Sequence, residues 1–78
     1  MSFGERIKRA REALGMTQKE LASRCGVTGS TIGSYEKGRK TPRTRVIERL
    51  SKELHVPAME LLRELDGENR SNSTEQKE

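Results

Sequence analysis

The sequence predicts an all-α fold of five short helices in one small domain. Apolar residues recur every three or four positions, capping patterns precede them and glycines follow them, and no stretch shows the period-2 alternation of a half-buried strand. The 78 residues are 29% hydrophobic and 36% charged, which leaves room for one modest core but little for a catalytic cavity. We therefore expect a protein that is not an enzyme and has no cofactor or small-molecule substrate.

The first two helices are bounded by the same pair of signals. The stretches 2–5 and 17–20 both have the Ser/Thr-x-x-Glu form of a capping box. Gly15 and Gly26 follow, and each can take the left-handed conformation that ends a helix. The residues expected to face the core are Phe3, Ile7, Ala10 and Leu14 in helix 1 and Leu21, Ala22 and Cys25 in helix 2.

Three further helices follow from caps and apolar spacing. The expected boundaries are N-cap Thr28 to about Lys37 for helix 3, N-cap Thr44 to about His55 for helix 4, and Pro57 to Gly67 for helix 5. The expected apolar positions are Ile32 and Tyr35, then Val46, Ile47, Leu50 and Leu54, then Met59, Leu61, Leu62 and Leu65. We place one domain at residues 1–66 and a disordered polar tail or linker at 67–78, because the tail has no apolar residue to bury.

The charge is unevenly divided along the chain. Residues 1–49 carry 12 Lys and Arg against 5 Asp and Glu, whereas residues 50–78 carry 4 against 7. A basic half favours a polyanionic partner, of which nucleic acid is the obvious one, although a well-solvated surface would have the same composition. The single Cys25, the lack of an apolar leader and the lack of any membrane-length apolar run predict a soluble cytoplasmic protein.

A helix-turn-helix pattern lies between residues 18 and 35. Two short helices that cross closely need a small side chain at their approach, which Ala22 supplies, and a glycine in the turn, which Gly26 supplies. Leu21, Val27 and Ile32 are expected to fill the wedge between the two helices.

With these positions, the sequence resembles the Cro and lambda-repressor-like helix-turn-helix regulators, also called the xenobiotic-response-element type, over residues 4–65. The matching residues are Arg11, 14–18, 20–22, 26–28, Ile32, Glu36, Gly38, Pro42, 54–56, Leu61 and Leu62. The resemblance implies a compact five-helix domain that binds double-stranded operator DNA, commonly as a dimer, with helix 3 in the major groove. It predicts a sequence-specific transcriptional regulator, a repressor that occupies its operator, in a bacterial or phage-type setting.

The resemblance also assigns roles to particular positions. It implies that the DNA phosphates are contacted by Thr17, Gln18, Arg39, Lys40 and Arg43. It implies that bases are read from Thr28, Gly29, Ser30, Gly33 and Ser34, with Lys37 on the same face of helix 3. It further implies an ion pair between Arg11 and Glu36, where the residues alone would favour two independent surface charges.

Gly29 and Gly33 are unexpected inside a helix, because an interior glycine costs about 1 kcal/mol relative to alanine. Close approach of the helix backbone to DNA would offset that cost. The alternatives are that the glycines are merely tolerated on an exposed face or allow close packing in a protein interface.

Other residues support less specific roles. His55 lacks a metal-ligand partner at suitable spacing and is expected to cap helix 4 or lie at the surface, so no metal site is predicted. Cys25 is expected to be a small core residue, with a redox sensor as the alternative. The apolar excess in helix 5 suggests a homodimer contact through Met59, Leu61, Leu62 and Leu65. The rival function is a protein-interaction module of the same fold, an antitoxin or controller component with weak or partner-dependent DNA readout.

Overall fold

The computed structural model describes residues 2–62. Its helices are α1 (Phe3–Ala13), α2 (Gln18–Cys25), α3 (Gly29–Glu36) and α4 (Thr44–Leu54), and a fifth, α5, runs from residue 58 to residue 62, where the described part ends. No strand occurs within this range, which confirms the predicted all-α class. Leu65, Gly67 and the predicted tail lie outside the described residues.

The predicted N-caps of the first three helices are present. The Ser2 hydroxyl accepts from the amide of Glu5 at 3.1 Å, and the Glu5 carboxylate accepts from the amide of Ser2 at 3.1 Å. Thr17 and Glu20 form the same reciprocal box, at 3.0 and 2.8 Å. Thr28 Oγ1 accepts from the amide of Thr31 at 3.1 Å. Each helix therefore begins where its side chains satisfy amide groups that the helix itself leaves unpaired.

Helix α4 begins differently from the prediction. Arg43 occupies the N-cap, with φ −81° and ψ 165°, and Thr44 is the first helical residue. The carbonyl of Arg43 accepts from the amides of Val46 and Ile47, both at 2.9 Å, so the first helical hydrogen bonds begin one residue earlier than expected. The expectation that Thr44 is the N-cap is wrong, because Thr44 is already helical. No side chain caps this helix.

One core joins all five helices. Helix α2 packs on α3 and α4, and α1 packs on the same two. The fully buried residues of this core include Ile7, Leu21, Ile32, Leu50 and Leu61. Leu14 does not belong to it: the residue follows the last turn of α1 as its C-cap and is 44% exposed. The expectation that Leu14 faces the core is therefore wrong.

The first turn of α1 lies directly against the last turn of α3. Gly4 is buried there, and a Cβ atom at this position would lie 2.6 Å from the carbonyl oxygen of Tyr35 and would also overlap the carbonyl group of Glu36. A side chain cannot occupy that space without moving backbone. Gly4 thus sets how closely α1 approaches α3.

Candidate nucleic-acid interface

Helices α2 and α3 form a compact helix-turn-helix pair. Ala22 is buried in the core, 2% exposed, and Gly26 ends α2 in the left-handed conformation with φ 75°. The amide of Val27 donates to the carbonyl of Ala22 at 3.0 Å and closes the turn. Ile32 and Tyr35 bury the inner side of α3, so its other side is left for solvent or a partner.

The outer side of α3 forms one wall of a shallow polar depression, and the N-terminus of α2 and the loop after α3 complete it. The residues that line it are Gln18, Gly29, Ser30, Gly33, Ser34, Lys37 and Arg39. Five of the six predicted base readers and two of the five predicted phosphate contacts are therefore brought together. Thr28 lies at the edge as the cap of α3, where its hydroxyl is within 2.9 Å of the hydroxyl of Thr31.

The two glycines of this face are not required by packing within the chain. A Cβ atom at Gly29 would lie 3.6 Å from the Cα of Lys19, and one at Gly33 would lie 3.6 Å from the side-chain amide of Gln18. Both are ordinary van der Waals distances, in contrast to the overlap at Gly4. Alanine would fit at either position, so the absence of a side chain there needs another explanation.

A cluster of three polar side chains joins α1, α2 and α3 beside the depression. Arg11 Nε donates to Glu36 Oε2 at 2.7 Å, and Arg11 also donates to Glu36 Oε1 at 3.3 Å and to the carbonyl of Met16 at 2.8 Å. Gln18 Nε2 donates to Glu36 Oε1 at 2.9 Å. The hydrogen bonds with Glu36 raise the pKa of Arg11. Both charges of this cluster therefore compensate each other and add little to the surface field.

The other residues that are predicted to contact DNA phosphates lie between α3 and α4. Lys40 and Arg43 border a second depression, together with the exposed Arg45 and around the buried Pro42. Among the described residues, no ion pair is formed by the exposed cations Lys37, Arg39, Lys40, Arg43 and Arg45. The loop thus presents an uncompensated positive surface next to the depression on α3.

Some backbone amides at the start of α2 donate a hydrogen bond within the chain, and others do not. The backbone amide of Thr17 donates to Glu20 Oε1 at 2.8 Å within the capping box, so it is not available to a phosphate. Those of Gln18 and Lys19 have no acceptor among residues 2–62. The start of α4, without a side-chain cap, likewise leaves the amides of Thr44 and Arg45 for an outside acceptor. Sequence reasoning missed this second helix terminus, because it placed a capping threonine there.

His55 and Cys25, the two residues considered for a metal or redox role, have structural positions in the fold. His55 ends α4 in the left-handed conformation with φ 59°, and its amide donates to the carbonyl of Ser51. Cys25 is buried, and desolvation, aided by the charge of Glu53, raises the pKa of its thiol. Between residues 2 and 62 no group of three or more His, Cys, Asp or Glu side chains has the geometry of a metal site. None of the helices in that range is long and apolar enough to span a membrane.

The model of a family described as helix-turn-helix matches residues 7–61, which include all of α2, the turn and α3. The chain belongs to the helix-turn-helix family.

Individual proteins resemble this helix-turn-helix chain over most of its length. The vegetative-specific protein H7 of Dictyostelium discoideum is 44% identical over 55 residues, which are 70% of this chain and 53% of that protein. The HTH-type transcriptional regulator ImmR of Bacillus subtilis is 36% identical over 62 residues, which are 80% of this chain and 49% of ImmR. The chain spans about half the length of these curated relatives.

A solved structure matches the fold closely. The P22 c2 repressor, in a crystal structure with the synthetic operator 9T, superposes with a TM-score of 0.79 at 30% identity. The match covers 82% of this helix-turn-helix chain and 97% of the repressor chain. The architecture is therefore that of the lambda-repressor-like proteins, which confirms the predicted fold class and family resemblance.

Proposed function

We propose that the chain is a sequence-specific DNA-binding transcriptional regulator, a repressor that occupies operator DNA with α3 in the major groove. The observation that carries this proposal is the polar depression along the exposed side of α3, bordered by an uncompensated basic loop, in a fold shared with an operator-bound repressor. Repression by occupancy requires no catalytic group and no effector. This role implies a location with the DNA, as expected for a cytoplasmic bacterial or phage-type regulator.

The backbone contacts come from cations and helix N-termini. Arg39, Lys40 and Arg43 bind phosphates by displacing counterions, and the available amides of Gln18 and Lys19 bind a phosphate at the positive end of α2. The uncapped start of α4 offers a further set of amides beside Arg43. Contacts of this kind fix the position of the protein on the duplex without reading its sequence.

Base readout comes from α3. Ser30 and Ser34 present hydroxyl groups that can bond to several base edges, Lys37 can reach guanine or a phosphate, and Thr28 lies at the entry of the helix. Gly29 and Gly33 let the helix backbone come close to the bases. Because these side chains are short, part of the specificity is expected to come from the shape and deformability of the DNA.

A homodimer is proposed through α5. Met59 is 77% exposed, and Leu62, three residues further on, packs against the core but stays half-buried, so Met59 and the exposed part of Leu62 offer an apolar surface. Leu61 cannot contribute as expected, because it is fully buried within its own chain. A twofold contact there would present two copies of α3 to successive major grooves about 34 Å apart. Met59→Glu should weaken self-association in sedimentation, whereas the exposed Glu48→Gln on α4 should not.

The test is selection of binding duplexes from a random pool by the purified chain at near-physiological salt. An enriched palindrome is the expected result, and its half-site spacing reports the twofold axis. Affinity for the enriched duplex should fall by about 0.9 log units per log unit of salt for each phosphate contacted. A chain that shows no affinity for any duplex would contradict the proposal and favour the protein-interaction module.

A further inference from the structure

The side-chain amide of Gln18 lies beside α3 at the place where Gly33 has no side chain. A Cβ atom at Gly33 would lie 3.6 Å from both Nε2 and Oε1 of Gln18. The amide therefore occupies the volume that a longer residue at this position of α3 would fill. The base-facing surface of α3 thus includes a side chain that belongs to α2.

The orientation of this amide is fixed from beneath. Gln18 Nε2 donates one N–H to Glu36 Oε1 at 2.9 Å. The Glu36 side chain is 4% exposed and is itself held by Arg11, which is 10% exposed. Because a buried carboxylate can only accept, the nitrogen of the Gln18 amide must face Glu36. The two alternative orientations of the amide are thereby reduced to one.

The groups that remain on Gln18 are one N–H and the carbonyl oxygen. An adjacent donor and acceptor on a glutamine amide match N7 and the N6 amino group of adenine in the major groove. Holding the amide in place before binding lowers the entropic cost of ordering it on DNA. The cluster of Arg11, Glu36 and Gln18 therefore holds a preorganised amide in a residue that lines the depression on α3.

We propose that the Gln18 side chain reads an adenine base across Gly33, in place of a long side chain on α3. This inference rests on the proposed function and changes one part of it: the side-chain amide of Gln18 contacts a base, while its backbone amide remains available to a phosphate. A side chain longer than that of alanine at position 33 would displace the reading group. Glu36 is a positioning residue that acts through Gln18.

The experiment pairs a protein variant with a base analogue. The duplex selected by the unaltered chain is tested with 7-deazaadenine in place of each adenine, which removes the N7 acceptor, and binding is compared for the unaltered chain and for Gln18→Met. The methionine keeps the length of the side chain but loses the amide. Glu48→Gln serves as the control, because Glu48 is exposed on α4 and does not line the depression.

At one adenine, the unaltered chain and Glu48→Gln should lose roughly 5- to 150-fold in affinity with the analogue, whereas Gln18→Met should be insensitive to it. A Gln18→Met chain that binds every duplex more weakly and keeps its adenine preference would overturn the inference in favour of a phosphate contact. A chain that binds DNA with no sequence preference would overturn both this inference and the sequence-specific part of the proposed function, and only general DNA binding would stand. Absence of all duplex binding would overturn the proposed function as well.

Discussion

Arg11 and Glu36 connect α1 to the end of α3 through an ion pair that is almost fully enclosed, with Nε and Oε2 2.7 Å apart. Every charged atom of Glu36 has a partner, since Oε1 accepts from both Arg11 and Gln18. The pair therefore has two structural roles. It connects α3 to α1, and it holds the side chain of Gln18, which borders the depression on α3.

Removing the carboxylate should destabilise the fold strongly. Glu36→Ala leaves the guanidinium of Arg11 buried without its counter-charge, and we expect the free energy of unfolding to fall by about 3–5 kcal/mol. Urea denaturation measures this loss of unfolding free energy. The control is Glu12→Ala, because Glu12 lies 3.9 Å from the same guanidinium but its side chain is 56% exposed. That variant should change stability by no more than about 0.5 kcal/mol, and equal losses in the two variants would contradict the role of burial.

The close approach of α1 to α3 predicts a different effect for two Gly→Ala substitutions. Gly4→Ala places a methyl group 2.6 Å from the carbonyl oxygen of Tyr35 and should cost about 1–3 kcal/mol or more through displaced backbone. Gly29→Ala meets only ordinary contacts at 3.6 Å and should be neutral or stabilising by up to about 1 kcal/mol. Thermal unfolding followed by circular dichroism compares them. A stabilised Gly4→Ala chain would show that the two helices do not approach this closely.

Arg43 and Ser34 should affect DNA binding in different ways. Arg43→Ala should weaken binding to all duplexes similarly and reduce the salt slope by about one contact, because a phosphate cation carries no sequence information. Ser34→Ala should mainly relax discrimination between the preferred duplex and its single-base variants. Titrations at two salt concentrations separate the two effects. Equal effects of both substitutions on specificity would contradict this division between loop and helix.

The buried thiol predicts a loss of stability at alkaline pH. Desolvation raises the pKa of Cys25 in the folded chain, so the unfolded chain releases its proton first, near the ordinary thiol value of about 8.5. The stabilisation that results is complete below that pH and is lost as the pH rises through it toward the folded value. Unfolding free energies measured between about pH 7 and 9.5 should therefore fall less for Cys25→Ala than for the unaltered chain. Burial also raises the pKa of Tyr35, whose contribution begins higher, near pH 10. An equal fall in the unfolding free energy of the unaltered chain and of Cys25→Ala over this pH range would contradict the prediction for the thiol.

The boundaries of three helices could be predicted because their determinants are local. The capping boxes at Ser2 and Thr17 and the N-cap at Thr28 involve residues three apart, so the sequence contains both partners of each bond. The predicted boundary at Thr44 lies one residue late, since a threonine before an apolar stripe resembles a cap whether or not its hydroxyl bonds to the helix. Spacing alone predicts that Leu14 faces the core, although the residue is the C-cap of α1 and is 44% exposed.

The amino-acid sequence by itself determined the helical class, the helix-turn-helix with its small Ala22 and turn glycine, and the side of α3 that remains exposed, because periodicity and capping act over a few residues. Tertiary structure alone decided the rest. The overlap that requires Gly4, the burial of Leu61 and the position of the Gln18 amide over Gly33 all depend on groups from different helices. Their distances follow from how the helices pack, and no local pattern in the chain encodes them.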